Sequence, residues 1–321
     1  MPELRLVVTS SEAATPQIRT IVLAPEGGGA LPSYRAGAHI KVQLPEGGER
    51  PYSLVNTDPS PDATQDPQTY RLGVRLEEDS AGGSRFMHGL EEGDVLTAVG
   101  PENQFAVTED DAPIVLIAGG IGITPILSMA SELTAQGRPF DFHYCGRTRS
   151  ALAFVDPLTA VCGDALNLHY DDEPDTAIDL DAIVAAARSG AHLFVCGPRG
   201  MIETVRERAH DAGIDKDHVH FELFSKHDEQ VAGGSFEVEI SSTGEVFTIP
   251  PDRSIIEVLE EAGIDLIYDC QRGDCGICQT GVIDGVPDHR DVILTDDERA
   301  ANDVMQICVS RAKSERLVLD L

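Results

Sequence analysis

Pro113-Ile-Val-Leu-Ile-Ala-Gly-Gly-Ile-Gly-Ile-Thr-Pro125 is the stretch on which the fold of this 321-residue chain turns. Pro113–Ala118 is apolar without alternation, the pattern of a strand buried on both faces. Gly119, Gly120 and Gly122 then permit a tight turn. From Pro125 to Gln136 the spacing is helical, with Ile126, Leu127, Ala130 and Leu133 on one face. Pro113 to Ala130 approaches the length of a membrane span, but its central glycines would expose backbone polar groups in lipid. The expected structure is a buried strand, a glycine turn and a helix.

Working outward, Phe140–Tyr144, Leu166–Tyr170 and His192–Cys196 are further strands, and Leu180–Ala187 and Met201–Ala212 are helices. That alternation predicts an α/β domain with a doubly wound parallel sheet. On the N-terminal side, Leu4–Thr9, Ile18–Leu23, His39–Leu44, Arg50–Val55, Tyr70–Leu76 and Asp94–Val99 are β-rich runs. Turn clusters separate them, and Ser84–Leu90 is a short helix, so an antiparallel β-barrel is expected. Ser225–Ser235 is polar, ends in Gly-Gly-Ser and reads as a linker. Beyond it, Phe236–Ile240 and Glu245–Ile249 suggest a hairpin, and Ser254 caps a helix running to Ala262. The expected domains are 1–109, 110–225 and 235–321, with 226–234 as linker.

The chain carries 55 acidic and 24 basic residues, a formal charge of −31, which disfavours nucleic acid and anionic membranes as partners. Solubility, a saline habitat or docking to a basic protein surface would each account for that charge. The N-terminus, MPELRLVVTS, shows no secretory pattern, so a soluble cytoplasmic protein is expected.

Four of the seven cysteines follow the spacing Cys270-x4-Cys275-x2-Cys278, with Cys308 beyond. Without a secretory signal such crowding favours metal binding over disulfides. Two bridged irons need four thiolates, three from one tight loop and one from a distant strand. Gly273 and Gly276 let that loop fold back so that its amides point at the sulfurs. A four-cysteine zinc site competes, but the second Cys-x2-Cys knuckle of a zinc ribbon is missing. Cys145, Cys162 and Cys196 are expected to be small buried residues.

Phe236–Leu321 resembles a plant-type ferredoxin, here the α+β β-grasp domain, and holds 19 acidic and 7 basic residues. Either a solvated face or an electron-transfer surface for a basic partner would explain that excess. Arg50-Pro51-Tyr52-Ser53-Leu54 on a barrel strand resembles the flavin-binding signature of the ferredoxin reductase superfamily. An aromatic ring, a hydroxyl and a guanidinium suit a flavin ring and its phosphate. Ala81-Gly82-Gly83-Ser84 ahead of a helix reads as either a phosphate site or a simple turn. Gly119-Gly120-Ile121-Gly122 together with Cys196-Gly197-Pro198-Arg199-Gly200-Met201 resembles the pyridine-nucleotide site of the same superfamily. Asp171-Asp172 are either solvated carboxylates or acceptors for ribose hydroxyls that disfavour NADPH, while nearby Arg147 and Arg149 argue the other way. Phe224 is either a core ring or a ring stacked on the flavin.

Barrel, nucleotide domain and C-terminal ferredoxin in that order resemble the phthalate dioxygenase reductase family, which includes vanillate O-demethylase reductases. The resemblance implies FMN at Arg50, Tyr52, Ser53, Leu54, Gly73, Gly83, Ser84, Thr124 and Phe224. It implies NADH at Gly119, Gly120, Gly122, Asp171, Cys196, Gly197, Pro198 and Met201, with Ser53, Thr124 and Cys196 as the catalytic residues where the two rings meet. A nicotinamide gives up two electrons as hydride and an iron–sulfur cluster accepts one at a time; a flavin handles both. The expected acceptor is a Rieske oxygenase that hydroxylates rings or demethylates, with a cytochrome P450, or a carrier role alone, as alternatives. Ala81 stands where relatives often place a basic residue.

Overall fold

In the computed structural model, residues 2–60, 62–77, 82–187, 190–224 and 234–321 are described. Ala81 and most of the expected linker, 226–233, lie outside the described residues. The chain divides into two units, Met1–Glu222 and Leu223–Leu321.

The first unit opens with strands β1 (Glu3–Ala13), β2 (Ile18–Pro25), β3 (Ala38–Gln43), β4 (Glu49–Ser53), β5 (Tyr70–Arg75) and β6 (Val95–Asn103). Between them lie the short helices α1 (Asp62–Gln65) and α2 (Gly83–His88). The strands form an antiparallel sheet in the order β4-β3-β6-β1-β2-β5. Alternate residues, among them Leu6, Val8, Ile21, Leu23, Ile40 and Val42, turn inward, as a period of two requires. Just past β4, Leu54 makes an antiparallel bridge to Leu72 of the far edge, and the Val55 amide donates to the Arg71 carbonyl at 2.8 Å. The sheet thus curls into a half-closed barrel.

The same unit continues with β7 (Ile114–Gly119), β8 (Phe140–Gly146), β9 (Leu166–Tyr170), β10 (His192–Cys196) and β11 (Val219–Glu222). Helices α3 (Ile123–Gln136), α4 (Val155–Cys162), α5 (Leu180–Ala186) and α6 (Arg199–Asp211) alternate with them. All pairings are parallel, in the order β11-β10-β7-β8-β9, so the winding reverses between β7 and β10. That reversal is the doubly wound topology expected from the sequence. Helix α4 and strand β11 lie outside the elements read from the sequence. No polar cap announces α4, whose preceding residue Phe154 is left-handed (φ 62), and β11 has only four residues. Cys145 and Cys196 are buried as expected, whereas Cys162, at the end of α4, is only partly buried.

Two hydroxyls join the halves of this unit. Ser128 Oγ donates to the Leu54 carbonyl (2.6 Å) and accepts the Asn56 amide (2.8 Å). Ser131 Oγ donates to the Asn56 carbonyl (2.8 Å), and both serines are fully buried. Helix α3 therefore supplies the partners that the backbone after β4 would otherwise lack inside the protein.

Two histidine pairs are packed inside this unit, and in each of them one ring, His143 or His220, is held neutral. His169 Nδ1 donates to the Thr176 carbonyl (3.0 Å), so its Nε2 accepts from His143 Nδ1 (3.0 Å). His192 bridges Asp110 (3.0 Å) and His220 (2.8 Å). Burial, followed by the neighbouring imidazoles, pushes His143 and His220 down to about 4. The unfolded chain, with ordinary imidazoles near 6.5, binds more protons between those values. Stability from these pairs is therefore full above about pH 6.5 and is lost as the pH falls toward 4. After discounting for partial exposure, the loss is on the order of 1–2 kcal/mol for each of the two. Thermal midpoints should drop by several degrees between pH 7 and 4.5; a flat profile would contradict the neutral pairing.

The second unit contains β12 (Phe236–Ile240), β13 (Val246–Ile249), β14 (Gln279–Asp284), β15 (Pro287–Asp288), β16 (Val304–Gln306), β17 (Arg311–Ala312) and β18 (Arg316–Leu319). Its main sheet has the order β13-β12-β18-β14-β16, with β12 and β18 parallel, a β-grasp arrangement. Helix α7 (Ile255–Glu261) begins in a capping box of Ser254 and Glu257, and α8 (Asp296–Ala301) in one of Thr295 and Glu298. Ile255, Ile256 and Leu259 of α7 pack into the core with Val238, Leu317 and Cys308. Among the described residues no helix is long and apolar enough to cross a membrane.

Candidate functional site

In the first unit, the switch point collects the two glycine motifs. A Cβ on Gly119 would lie 2.8 Å from Pro198 Cδ and 2.9 Å from Met201 Cε. One on Gly122 would lie 2.1 Å from the Cys196 carbonyl oxygen, and one on Gly197 would lie 2.2 Å from Met201 Cε. The backbones after β7 and β10 thus approach as closely as glycine allows. Gly120 has φ 55 and open space beside it. Cys196 is fully buried among core side chains, and Met201 Sδ receives the Cys145 thiol at 3.7 Å.

The barrel wall meets this edge at β5. A Cβ on Gly73 would lie 2.7 Å from Thr124 Cγ2 and 3.0 Å from the Phe154 ring. Thr124 is buried and its hydroxyl donates to the Ile121 carbonyl (3.1 Å). On β4, Ser53 is buried, and burial pushes the Tyr52 phenol up to about 12, which keeps it a proton donor. Arg50 is exposed, and its guanidinium donates to its neighbour's carbonyl, Glu49, at 2.8 Å, leaving other N–H groups open for an anion. Gly83 fits under this pair, since a Cβ there would lie 2.9 Å from Arg50 Cγ and 3.4 Å from the Tyr52 hydroxyl. Ser84 neither caps α2 nor is free, because its hydroxyl accepts the Glu77 amide (3.1 Å); the residue at the cap is Gly82.

At the end of β9, the Asp171 and Asp172 amides donate to the carbonyls of Gly146 (3.1 Å) and Arg147 (3.2 Å). Both carboxylates are exposed. Residues that sequence reasoning passed over are Ser128, Ser131, Phe154 and Glu173. Thr124, Ser128 and Ser131 recur at helical spacing on an apolar helix, and that polar stripe was a readable signal.

In the second unit, the four expected ligands come together as two pairs. The Cys270 thiol hydrogen-bonds Cys275, and the Cys308 thiol hydrogen-bonds Cys278. Those bonds push Cys275 down to about 6 and lower Cys278, while Cys270 and Cys308 are raised. Backbone amides also face the sulfurs: Arg272 to Cys270 (3.3 Å), Ile277 to Cys275 and Gly273 to Cys308. Gly273 has φ 79, and a Cβ there would strike Val309 at 2.6 Å and the Asp291 Cα at 3.0 Å. Two thiol pairs with amide donors fit two bridged irons, each taking two thiolates. Cys278 and Cys308 are buried and Cys270 and Cys275 partly exposed. Beside them the buried Asp274 carboxylate accepts the Leu223 amide at 3.0 Å. Phe224 also belongs to this unit and is 41% exposed.

Residues 238–313 match a family model described as a 2Fe-2S iron-sulfur cluster binding domain, and residues 116–207 match an oxidoreductase NAD-binding domain. Vanillate O-demethylase oxidoreductase of Pseudomonas sp. is 41% identical over 323 residues, covering 99% of this chain and all of that one. The solved structure of a phthalate dioxygenase reductase has a TM-score of 0.71 at 35% identity, over 99% of this chain and 98% of that one. The chain belongs to the phthalate dioxygenase reductase family. As a member of that family it is an NADH-dependent oxidoreductase, a reductase component for an oxygenase, with FMN and a [2Fe–2S] cluster as cofactors. An intact type IV self-sufficient cytochrome P450 monooxygenase is also similar, with a TM-score of 0.70 at 33% identity, and this chain spans 41% of that longer one.

Proposed function

We propose that electrons pass from NADH at the β7–β10 switch point to FMN along β4. From there they reach a cluster on Cys270, Cys275, Cys278 and Cys308, and leave to a soluble Rieske-type oxygenase in the cytoplasm. Neither nucleic acid nor a membrane takes part. The domains are 1–109 for flavin, 110–225 for NADH and 235–321 for the cluster, joined by 226–234. The contact of Gly73 with Thr124 and Phe154 carries this reading, because it sets the nucleotide edge against the barrel wall.

A flavin bound there would supply the conversion between two-electron hydride chemistry and single-electron transfer. The residues do the rest. Arg50 offers its exposed guanidinium to the flavin phosphate, while Tyr52, Ser53 and Leu54 line the flavin along β4, with Gly73 opposite on β5 and Gly83 and Ser84 at the phosphate end. The glycines at 119, 120, 122 and 197, with Pro198 and Met201, admit the nicotinamide and pyrophosphate, and Asp171 takes the adenosine ribose. Thr124 and Cys196 hold the backbone where the rings meet, and Phe224 is assigned to the flavin face. Amides of Arg272, Gly273 and Ile277 stabilise the charge on the cluster sulfurs.

The decisive experiment is an absorption spectrum with flavin and iron–sulfur bands that bleach on adding NADH; an unchanged spectrum overturns the reading. Flavin released and identified by chromatography should be FMN, and FAD would contradict the assignment. The 19 acidic residues of Phe236–Leu321 against 7 basic ones suit a basic docking face. Electron transfer to the oxygenase should therefore slow several-fold between roughly 50 and 300 mM salt; salt-independent rates would count against electrostatic docking. The likeness to the P450 enzyme supports a P450 acceptor as a second reading. Parallel turnover of the NADH-reduced protein with a Rieske oxygenase and with a P450 separates the two.

A further inference from the structure

Asp171 and Asp172 stand beside two arginines, and one of those is already engaged. Arg149 Nε and Nη2 donate to Glu173 Oε1 and Oε2 at 2.6 and 2.7 Å, a fork-on-fork pair. The same guanidinium lies 4.1 Å from the centre of the Tyr170 ring, the last residue of β9. Both contacts hold the arginine flat against the strand end. Arg149 holds the Glu173 carboxyl below its usual range, so the pair stays ionised near neutral pH. The side chain of Arg147 is exposed and makes no hydrogen bond or ion pair among the described residues.

We propose that Glu173 is a coenzyme-specificity residue, which excludes the 2′-phosphate of NADPH by occupying Arg149. This rests on the proposed placement of the adenosine ribose at Asp171. A 2′-phosphate is recognised by guanidinium groups, and a bidentate carboxylate on Arg149 uses the same N–H groups. With Glu173 present, residues 171–173 and 147–149 together carry three carboxylates and two guanidiniums, so the edge is net negative. Without it the charges balance, and Arg149 can swing from Tyr170 to join Arg147 as a two-armed clamp. Arg149 is therefore no argument for NADPH, although its position alone suggests one.

The test is Glu173→Ala in the full holoenzyme. The ratio of kcat/KM for NADPH to that for NADH should rise about tenfold, roughly 1.4 kcal/mol, with the NADH value changed less than about threefold. Calorimetry should show 2′,5′-ADP binding strengthened to a similar extent while 5′-AMP is little affected. Adding Arg149→Ala should abolish the gain, because the freed guanidinium is then absent. An unmoved ratio in Glu173→Ala, or a gain that survives the second substitution, overturns the proposal. Asp171→Ala should weaken 5′-AMP binding; if it does not, the ribose placement fails and the proposal with it. An intact Asp171 effect alongside an unresponsive Glu173→Ala refutes the exclusion role alone.

Discussion

Cys275→Ser is expected to reduce NADH-driven cytochrome c reduction at least ~100-fold while leaving ferricyanide reduction within about twofold. Cytochrome c requires single electrons from the cluster, whereas ferricyanide can draw on the flavin. The Cys275 thiol pairs with Cys270 and takes the Ile277 amide, and Ile277 lies between two of the ligands. A serine hydroxyl keeps the shape but is a hard, weakly acidic donor where a soft thiolate is needed. Nothing in Met1–Glu222 is changed by the substitution, so NADH should still bleach the flavin. Stopped-flow traces at a flavin and a cluster wavelength check this directly. Equal loss with both acceptors would contradict the order of the path.

Gly122→Ala is expected to remove NADH oxidation with either acceptor by two orders of magnitude or more, the complementary outcome. Gly122 has an ordinary helical φ of −60, so the objection is steric. The added methyl would sit 2.1, 2.4 and 2.8 Å from the Cys196 oxygen, the Cys196 carbonyl carbon and the Gly197 nitrogen. These are backbone atoms of β10 and its turn, and none can rotate away. The start of α3 must shift instead, opening the switch point at a cost of about 1–3 kcal/mol or more. The variant should keep its flavin, and dithionite should still reduce it, which separates this defect from unfolding of the first unit. Gly120→Ala provides the contrast: nothing lies near its Cβ, so only the left-handed φ of 55 opposes it, at about 1 kcal/mol. If Gly122→Ala keeps NADH activity within a few-fold, the close approach of β7 and β10 is not what binds the nucleotide.

How much was legible depended on whether the signal was local. The cluster ligands were readable because three of four sit within nine residues and the glycines between them have one use. The strand–turn–helix at 113–125 was equally local; α3 ends at Gln136 as the spacing placed it but starts at Ile123, two residues before the expected Pro125. The histidine pairs were not legible, since His143 meets His169 only once β8 and β9 are set in register. Glu173 escaped notice for a related reason: Arg149 is twenty-four residues away, and their pairing needs two strand ends side by side. Helix α4 lacked a cap and followed a left-handed phenylalanine, so its start had no sequence mark.

The serine stitch from α3 to the backbone after β4 has a consequence for how the molecule fails. Pulling Leu54 and Asn56 away from Ser128 and Ser131 leaves buried polar groups on both sides without partners, at roughly 1–3 kcal/mol for each group. Amide exchange in α3 and in the segment after β4 should therefore rise together, as one cooperative unit. If the flavin lies along β4 as proposed, heating should release it in the same transition that opens α3, and flavin fluorescence followed alongside amide exchange checks this.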